Sequence, residues 1–260
     1  MNIQTIIFSR DRAMQLDAVL RSFFIHCQDS DKIRVVVLFL ASDDVHARQY
    51  ETLRSAYPDV IFFAQRHFRH DVWSFVLTLA SGAIKCRFWW LDSINTAGLF
   101  LERLPGKVIR RMSKQWRQRI LRRLAPGSPD KTHFLFLVDD NIFVRDFQLT
   151  PFAQALDARP DALGFSLRLG TNTTHSYVKN RPINLPVFAA EPDGVLEFDW
   201  TAADGEFAYP LEISSSLYRA ADIAPLIVSL PFANPNELEY QMAIRTNEYC
   251  VTMPGLLCAP

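Results

Sequence analysis

Four short segments of this chain are apolar almost without a break: residues 4–8, 33–40, 60–64 and 134–138. A strand with one face in water alternates apolar and polar side chains, so a continuous run means that both faces are covered. Strands of that kind belong to parallel sheets, whose crossover connections lay helices on either side. The intervals supply those helices. Leu16, Leu20, Phe23 and Phe24 recur at helical spacing after the first run, Tyr50, Leu53 and Tyr57 do so after the second, and residues 71–81 look helical after the third. Ser42, Asp43 and Asp44 offer a capping side chain where the second helix should begin. Strand and helix alternating in this way through the first 70 or so residues predict an α/β fold with a doubly wound, mostly parallel sheet.

The second half reads differently. Strands are expected over 162–169, 195–201 and 213–219, a helix opens at Thr150-Pro151 with a capping residue and then proline, and further helices are expected over 221–229 and from Asn236. Residues 146–260 should therefore be mixed and loop-rich where 1–145 is regular, and 260 residues suffice for both halves as one domain. With 49% hydrophobic and 22% charged residues the chain can fill a core, which excludes a disordered protein. Cys27, Cys86, Cys250 and Cys258 are too scattered for a disulfide framework or a metal site. No secretory pattern is visible at the start, and the uncharged stretch 72–84 is shorter than the roughly 20 residues a bilayer span needs. The expectation is a reduced, cytoplasmic protein without a transmembrane helix.

Charge is balanced in total and uneven in distribution. Between Arg103 and Arg123 stand nine basic residues and no acid; without them, 19 of the 28 basic residues face 28 acidic ones. Val108, Met112, Trp116, Ile120 and Leu124 recur every fourth position through this strip, giving an apolar face with a cationic surround. Such a helix over about 103–125 suits an anionic membrane surface, and equally an ordinary helix packed on its own domain. Nucleic acid is not expected as a partner, since the rest of the chain is acidic and carries no nucleic-acid motif.

In an open α/β sheet, ligands gather beyond the carboxyl ends of the strands. Three groups occupy such positions: Ser9-Arg10-Asp11-Arg12, Ala41-Ser42-Asp43-Asp44 and Asp139-Asp140-Asn141. Two adjacent carboxylates at the rim of an apolar strand repel each other, so a cation should stand nearby. Carboxylates are hard oxygen ligands for Mg²⁺ or Mn²⁺, whose coordination a nucleoside diphosphate would complete; capping a turn is the competing duty for the pair. Arg10 or Arg12 could grip diphosphate oxygens through the planar guanidinium, although solvated arginines at a helix start look the same in sequence. The chain has no G-x-G-x-x-G after its first strand, no phosphate-binding G-x-x-x-x-G-K-[ST] loop, no H-E-x-x-H and no G-x-S-x-G. Classical dinucleotide enzymes, P-loop enzymes and the commonest zinc proteases and serine hydrolases are thereby set aside.

These residues resemble a known family. A parallel start, an Asp-Asp at a strand end half-way along, and a later acidic residue opening a helix look like a nucleotide-diphospho-sugar transferase of the GT-A glycosyltransferase fold. The local sequences Phe8-Ser9-Arg10-Asp11-Arg12 with Gln15-Leu16, Leu137-Val138-Asp139-Asp140-Asn141, and Pro235-Asn236-Glu237-Leu238-Glu239 are similar to bacterial members, and the likeness covers nearly the whole chain. Val138 stands where many members carry another acid. The resemblance implies a nucleotide-sugar-binding half over 1–145 and an acceptor half over 146–260. It also implies a divalent metal at Asp140 and Asp139, and a donor pocket lined by Ser9, Arg10, Arg12, Ser42, Asp43 and Asp139. The acceptor would be a glycan or a lipid-linked sugar, the latter served by a strip docking at the inner face of the cell membrane.

Glycosyl transfer by inversion needs a base that takes the acceptor hydroxyl proton. Acids in the second half are Asp204, Glu206, Glu212, Glu237 and Glu239. The expected base lies among Asp204, Glu206, Glu237 and Glu239, with Trp200 and Tyr209 close enough in sequence to offer a sugar a stacking surface. A nucleotidyltransferase, or a non-catalytic membrane-docked module that binds sugar nucleotides, is the alternative function.

Overall fold

The structure, a computed structural model, describes residues 1–80, 132–176, 179–190 and 194–260. Strands β1 (Asn2–Arg10), β2 (Ile33–Leu40), β3 (Ile61–Ala64) and β4 (Thr132–Val138) stand where the continuous apolar runs fall. They pair in parallel in the order β3-β2-β1-β4, with Phe8 of β1 opposite Leu38 on one side and Val138 on the other. Helices α1 (Ala13–His26), α2 (Asp44–Ala56) and α3 (Phe68–Ala80) follow the first three strands.

Alternation along each strand explains why the runs are unbroken. Phe134 and Phe136 of β4 enter one core with Val72 and Val76 of α3, whereas Leu135 and Leu137 enter the opposite core with Leu16 and Leu20 of α1. Each fully buried side chain of this size contributes roughly 1.5–3 kcal/mol of transfer free energy. The doubly wound, mostly parallel sheet is borne out.

The second half extends the same sheet and changes its character. Helix α4 (Leu149–Ala158) leads to β5 (Ala162–Ser166). Short strands β6 (His175–Ser176), β7 (Arg181–Pro182) and β8 (Ala189–Ala190) follow, then β9 (Leu196–Asp199), β10 (Ser216–Arg219), α5 (Ala220–Ser229), α6 (Pro235–Ala243) and β11 (Gly255–Cys258). The complete sheet runs β3-β2-β1-β4-β10-β5-β11-β9-β8. Strand β10 lies antiparallel between β4 and β5, β11 is parallel to β5, and β9 is antiparallel to both its neighbours. Because β10 enters from the edge at which β4 and β5 leave, the segment before β10 lies beside the carboxyl ends of β4 and β5.

Helix α4 starts at Leu149, one residue before the expected cap at Thr150. Its capping group comes from far away. Asp29, after α1, accepts the N–H groups of Leu149 at 2.9 Å and Thr150 at 2.7 Å. Among the described residues no helix is long and apolar enough to cross a membrane. The basic strip of 103–125 and Cys86 lie outside the described residues.

Candidate functional site

The chain leaves β1 through a turn that only a few residue types accept. Asp11 takes φ 54°, a left-handed conformation that short polar side chains tolerate by bonding locally. Its N–H donates to Leu40 O at 3.0 Å and its Oδ1 accepts Ser42 N–H at 2.7 Å, so one residue ties the loops after β1 and β2 together. Tyr50 of α2 holds the turn from below. Its hydroxyl is 2.7 Å from Ser9 Oγ and accepts Arg12 N–H at 3.2 Å, while its ring stacks on Phe39. Burial pushes the Tyr50 hydroxyl pKa up, which keeps it neutral. Ser9 is thus turned inward onto Tyr50, away from the open edge. Asp43 caps α2 through His46 N–H at 2.8 Å, and that bond together with the His46 ring holds its carboxyl below the usual range.

The same edge carries a pair of arginines and a pair of acids. Asp139 follows β4, is buried, and accepts Arg10 N–H at 3.2 Å through Oδ2. Nη1 of Arg12 stands 3.3 Å from Asp139 Oδ1 and 3.5 Å from Asp140 Oδ2, so one guanidinium nitrogen bridges both carboxylates. The expected cation beside the acidic pair is therefore present as a side chain. Asn141 locks the loop behind them: its Oδ1 accepts Val138 N–H at 2.9 Å and its amide donates to Ser214 O at 3.1 Å. That second bond joins the end of β4 to the segment that leads into β10.

Beside this edge lies a second group of acids, mostly withdrawn from water. Glu212 is buried with only 2% of its side chain exposed; Ser216 Oγ donates to its Oε1 at 2.5 Å and Ser214 Oγ donates to its Oε2. Arg168, just beyond β5, places Nε 3.4 Å from Glu212 Oε2 and Nη1 3.2 Å from Glu206 Oε2. Glu206 also accepts Ser176 Oγ at 2.7 Å. Gly205 ahead of it takes φ 62°, and a Cβ there would come within 2.8 Å of Ile183, so glycine alone fits this turn. Glu239 of α6 accepts Ile213 N–H at 3.1 Å and Tyr209 Oη at 3.4 Å. Burial raises the Glu239 pKa, the Ile213 N–H opposes that, and the neighbouring Glu212 charge adds to the rise. Burial, then the Glu239 charge, push the Tyr209 hydroxyl upward too.

The remaining candidates have other duties. Asp204 is exposed and paired with Lys179 at 3.2 Å and Arg181 at 2.7 Å; the Lys179 bond and then Gly205 N–H hold its pKa low, the wrong direction for a base. Glu237 closes a capping box on α6, accepting Ala233 N–H and the Asn234 amide while Asn234 Oδ1 accepts Glu237 N–H. Trp200 is buried with Nε1 donating to Met253 O, so it is core and offers no stacking face. Arg168 escaped the sequence reading. The expected strand over 162–169 runs through it; only the earlier end of β5 at Ser166 leaves Arg168 two residues beyond the strand.

Among the described residues no three His, Cys, Asp or Glu side chains come together as a metal-binding group. Asp139 and Asp140 nevertheless fit a hard cation: both reach one positive atom at the rim, and the rest of a coordination sphere would fall to water and ligand oxygens.

No protein-family model matches the chain. It is similar to the bifunctional glycosyltransferase pgtA of Dictyostelium discoideum, 23% identical over 239 residues. The match covers 86% of this chain and 25% of that protein, so the chain spans about a quarter of the curated relative. The resemblance carried by the strand-end motifs is borne out by a protein of that name. In shape it is similar to TarS of S. aureus, at a TM-score of 0.49 and 13% identity, over 99% of this chain and 35% of that one. A shorter TarS, residues 1–349 in complex with UDP-GlcNAc, gives 0.46 at 13% identity over 94% and 54%.

Proposed function

We propose that this chain is a glycosyltransferase that moves a sugar from a nucleotide-diphosphate donor to a hydroxyl of a glycan or lipid-linked acceptor. The observation that carries the reading is the meeting, at one sheet edge, of two kinds of acid. At the end of β4, Asp139 and Asp140 stand with Arg12 and the exposed side chain of Arg10; beside them stand the buried Glu212, before β10, and the half-buried Glu239 of α6. The bond from Asn141 to Ser214 fixes one against the other. The sequence similarity to pgtA supports the same activity.

In this reading Arg10 and Arg12 bind the diphosphate, where the guanidinium's fork of N–H groups matches phosphate oxygens. Asp139 and Asp140 would hold a Mg²⁺ or Mn²⁺ ion, which supplies charge neutralisation for a leaving diphosphate. Glu239 takes the proton from the acceptor hydroxyl: its carboxylate is raised toward the operating pH, as a general base requires. Tyr209 orients Glu239, and Arg168 keeps Glu212 and Glu206 from overcharging the site. Asp204 and Glu237 serve the loop and the helix start. A cytoplasmic enzyme whose strip at 103–125 docks on anionic lipid would meet a lipid-linked acceptor there.

The test is a thermal-shift series of nucleoside diphosphates and their sugars, each with and without Mn²⁺. A rise in melting temperature with one nucleotide family, greater with the metal, is the expected result. No shift with any of them defeats the donor assignment.

A further inference from the structure

We propose that Arg12 is the resident counter-cation of Asp139 and Asp140, so that a divalent cation enters this pair only together with a diphosphate that draws the guanidinium away. The inference rests on the reading of this edge as a donor site. One nitrogen of Arg12 already lies within 3.5 Å of both carboxylates, the place an added cation would have to take. A metal arriving alone would meet a like charge at short range. Among the described residues no further acid joins the pair to outweigh it.

The geometry also provides a way out. Arg12 is anchored at its backbone N–H by Tyr50, while about half of its side chain is exposed. The guanidinium can therefore swing without disturbing the turn. A diphosphate offers it paired oxygens of higher charge than two separate carboxylates, and those oxygens also complete a metal's coordination. Metal and nucleotide should thus bind cooperatively, each strengthening the other by the same factor.

The experiment uses the full chain with Mn²⁺ as the metal and UDP and GDP as nucleotide probes. Free Mn²⁺ is counted by electron paramagnetic resonance, and nucleotide binding is followed by calorimetry with and without the metal. Wild type should take Mn²⁺ weakly alone and far better with a nucleoside diphosphate. Arg12→Gln should take Mn²⁺ alone about tenfold more tightly, because the competing charge is gone, and lose a similar factor of the cooperativity. Arg12→Lys keeps a charge and should stay near wild type for Mn²⁺ alone. An unchanged Mn²⁺ affinity in Arg12→Gln, with metal-dependent nucleotide binding intact in wild type, overturns the counter-cation role and leaves the donor site standing. Nucleotide binding indifferent to Mn²⁺ in wild type overturns it as well. Absence of any nucleotide binding in wild type removes the donor site itself, and the proposal with it.

Discussion

The parallel half and the mixed half bring acids to the same edge of the sheet in different surroundings. At the end of β4, Asp140 is 63% exposed and both carboxylates share a guanidinium that is itself half in water. Before β10, Glu212 is almost wholly covered, two serine hydroxyls and Arg168 satisfy it, and the adjoining Glu239 is driven toward its protonated form. Burying a charge is costly unless it is paired and hydrogen-bonded, whereas a rim carboxylate retains its charge at little cost. In the proposed reading the parallel edge supplies the carboxylates that attract cations, and the mixed edge supplies the acid that exchanges a proton.

The largest test of that division is Glu239→Gln. Loss of a general base lowers turnover by roughly 10²–10⁴-fold, and because Glu239 belongs to the mixed edge, affinity for the nucleotide donor should hardly change. Steady-state rates beside calorimetric donor binding separate the two. Parental turnover in this variant would move the base elsewhere or require a retaining route. The reciprocal change, Asp140→Ala, should remove metal-dependent nucleotide binding while the melting temperature stays close to wild type, since this carboxylate is exposed and, among the described residues, pairs with Arg12 alone. An unchanged nucleotide titration would take Asp140 out of the site.

A subtler change sharpens the comparison through pH. In the proposed role Glu239 acts only when ionised, and burial above all, with Glu212 adding to it, raises its pKa. The rate should therefore climb with pH through a value above the ordinary glutamate pKa of about 4.3. Glu212→Gln removes one negative neighbour, and the acidic limb of the profile should move to lower pH. Stability has the matching sign: a carboxyl whose folded pKa is raised contributes stability below its unfolded pKa, which is lost as pH rises through the folded value. A limb that stays fixed in Glu212→Gln would mean that another group titrates.

The parallel half was legible because its chemistry is local. Both faces of each strand are covered, so the sequence runs are unbroken, and residues 33–40 coincide with β2. Asp139 follows directly from the strand-end rule. Little in the mixed half is local in that sense. Strands β6 to β8 have two residues each, and β11 is placed between β5 and β9 by pairing partners far away in the chain. Gly255–Cys258 carried no periodicity long enough to mark it. The acids suffered likewise: Asn234 and Glu237 spell a capping box that could have excluded Glu237, but the burial that distinguishes Glu239 from Asp204 exists only once β10 and α6 are folded.

The smallest expected effect lies at the seam between the halves. Asp29 belongs to the parallel half, yet it supplies the acceptors for Leu149 and Thr150 N–H at the start of α4, the first helix of the mixed half. Burial pushes its carboxyl upward, but the bonds from Thr150 and Leu149 outweigh that and hold it below the ordinary aspartate value. Ionised, it satisfies two N–H groups that a helix start leaves without partners and lies against the positive end of the helix. Asp29→Ala should lower unfolding free energy by about 0.5–2 kcal/mol, the usual range for a lost cap. The deficit against wild type should be present above the unfolded aspartate pKa and shrink as pH falls through the lower, folded one, because protonation then strips wild type of the same bonds. Urea unfolding of both proteins across that pH range reads the effect. A deficit that stays constant with pH would assign Asp29 a packing role only.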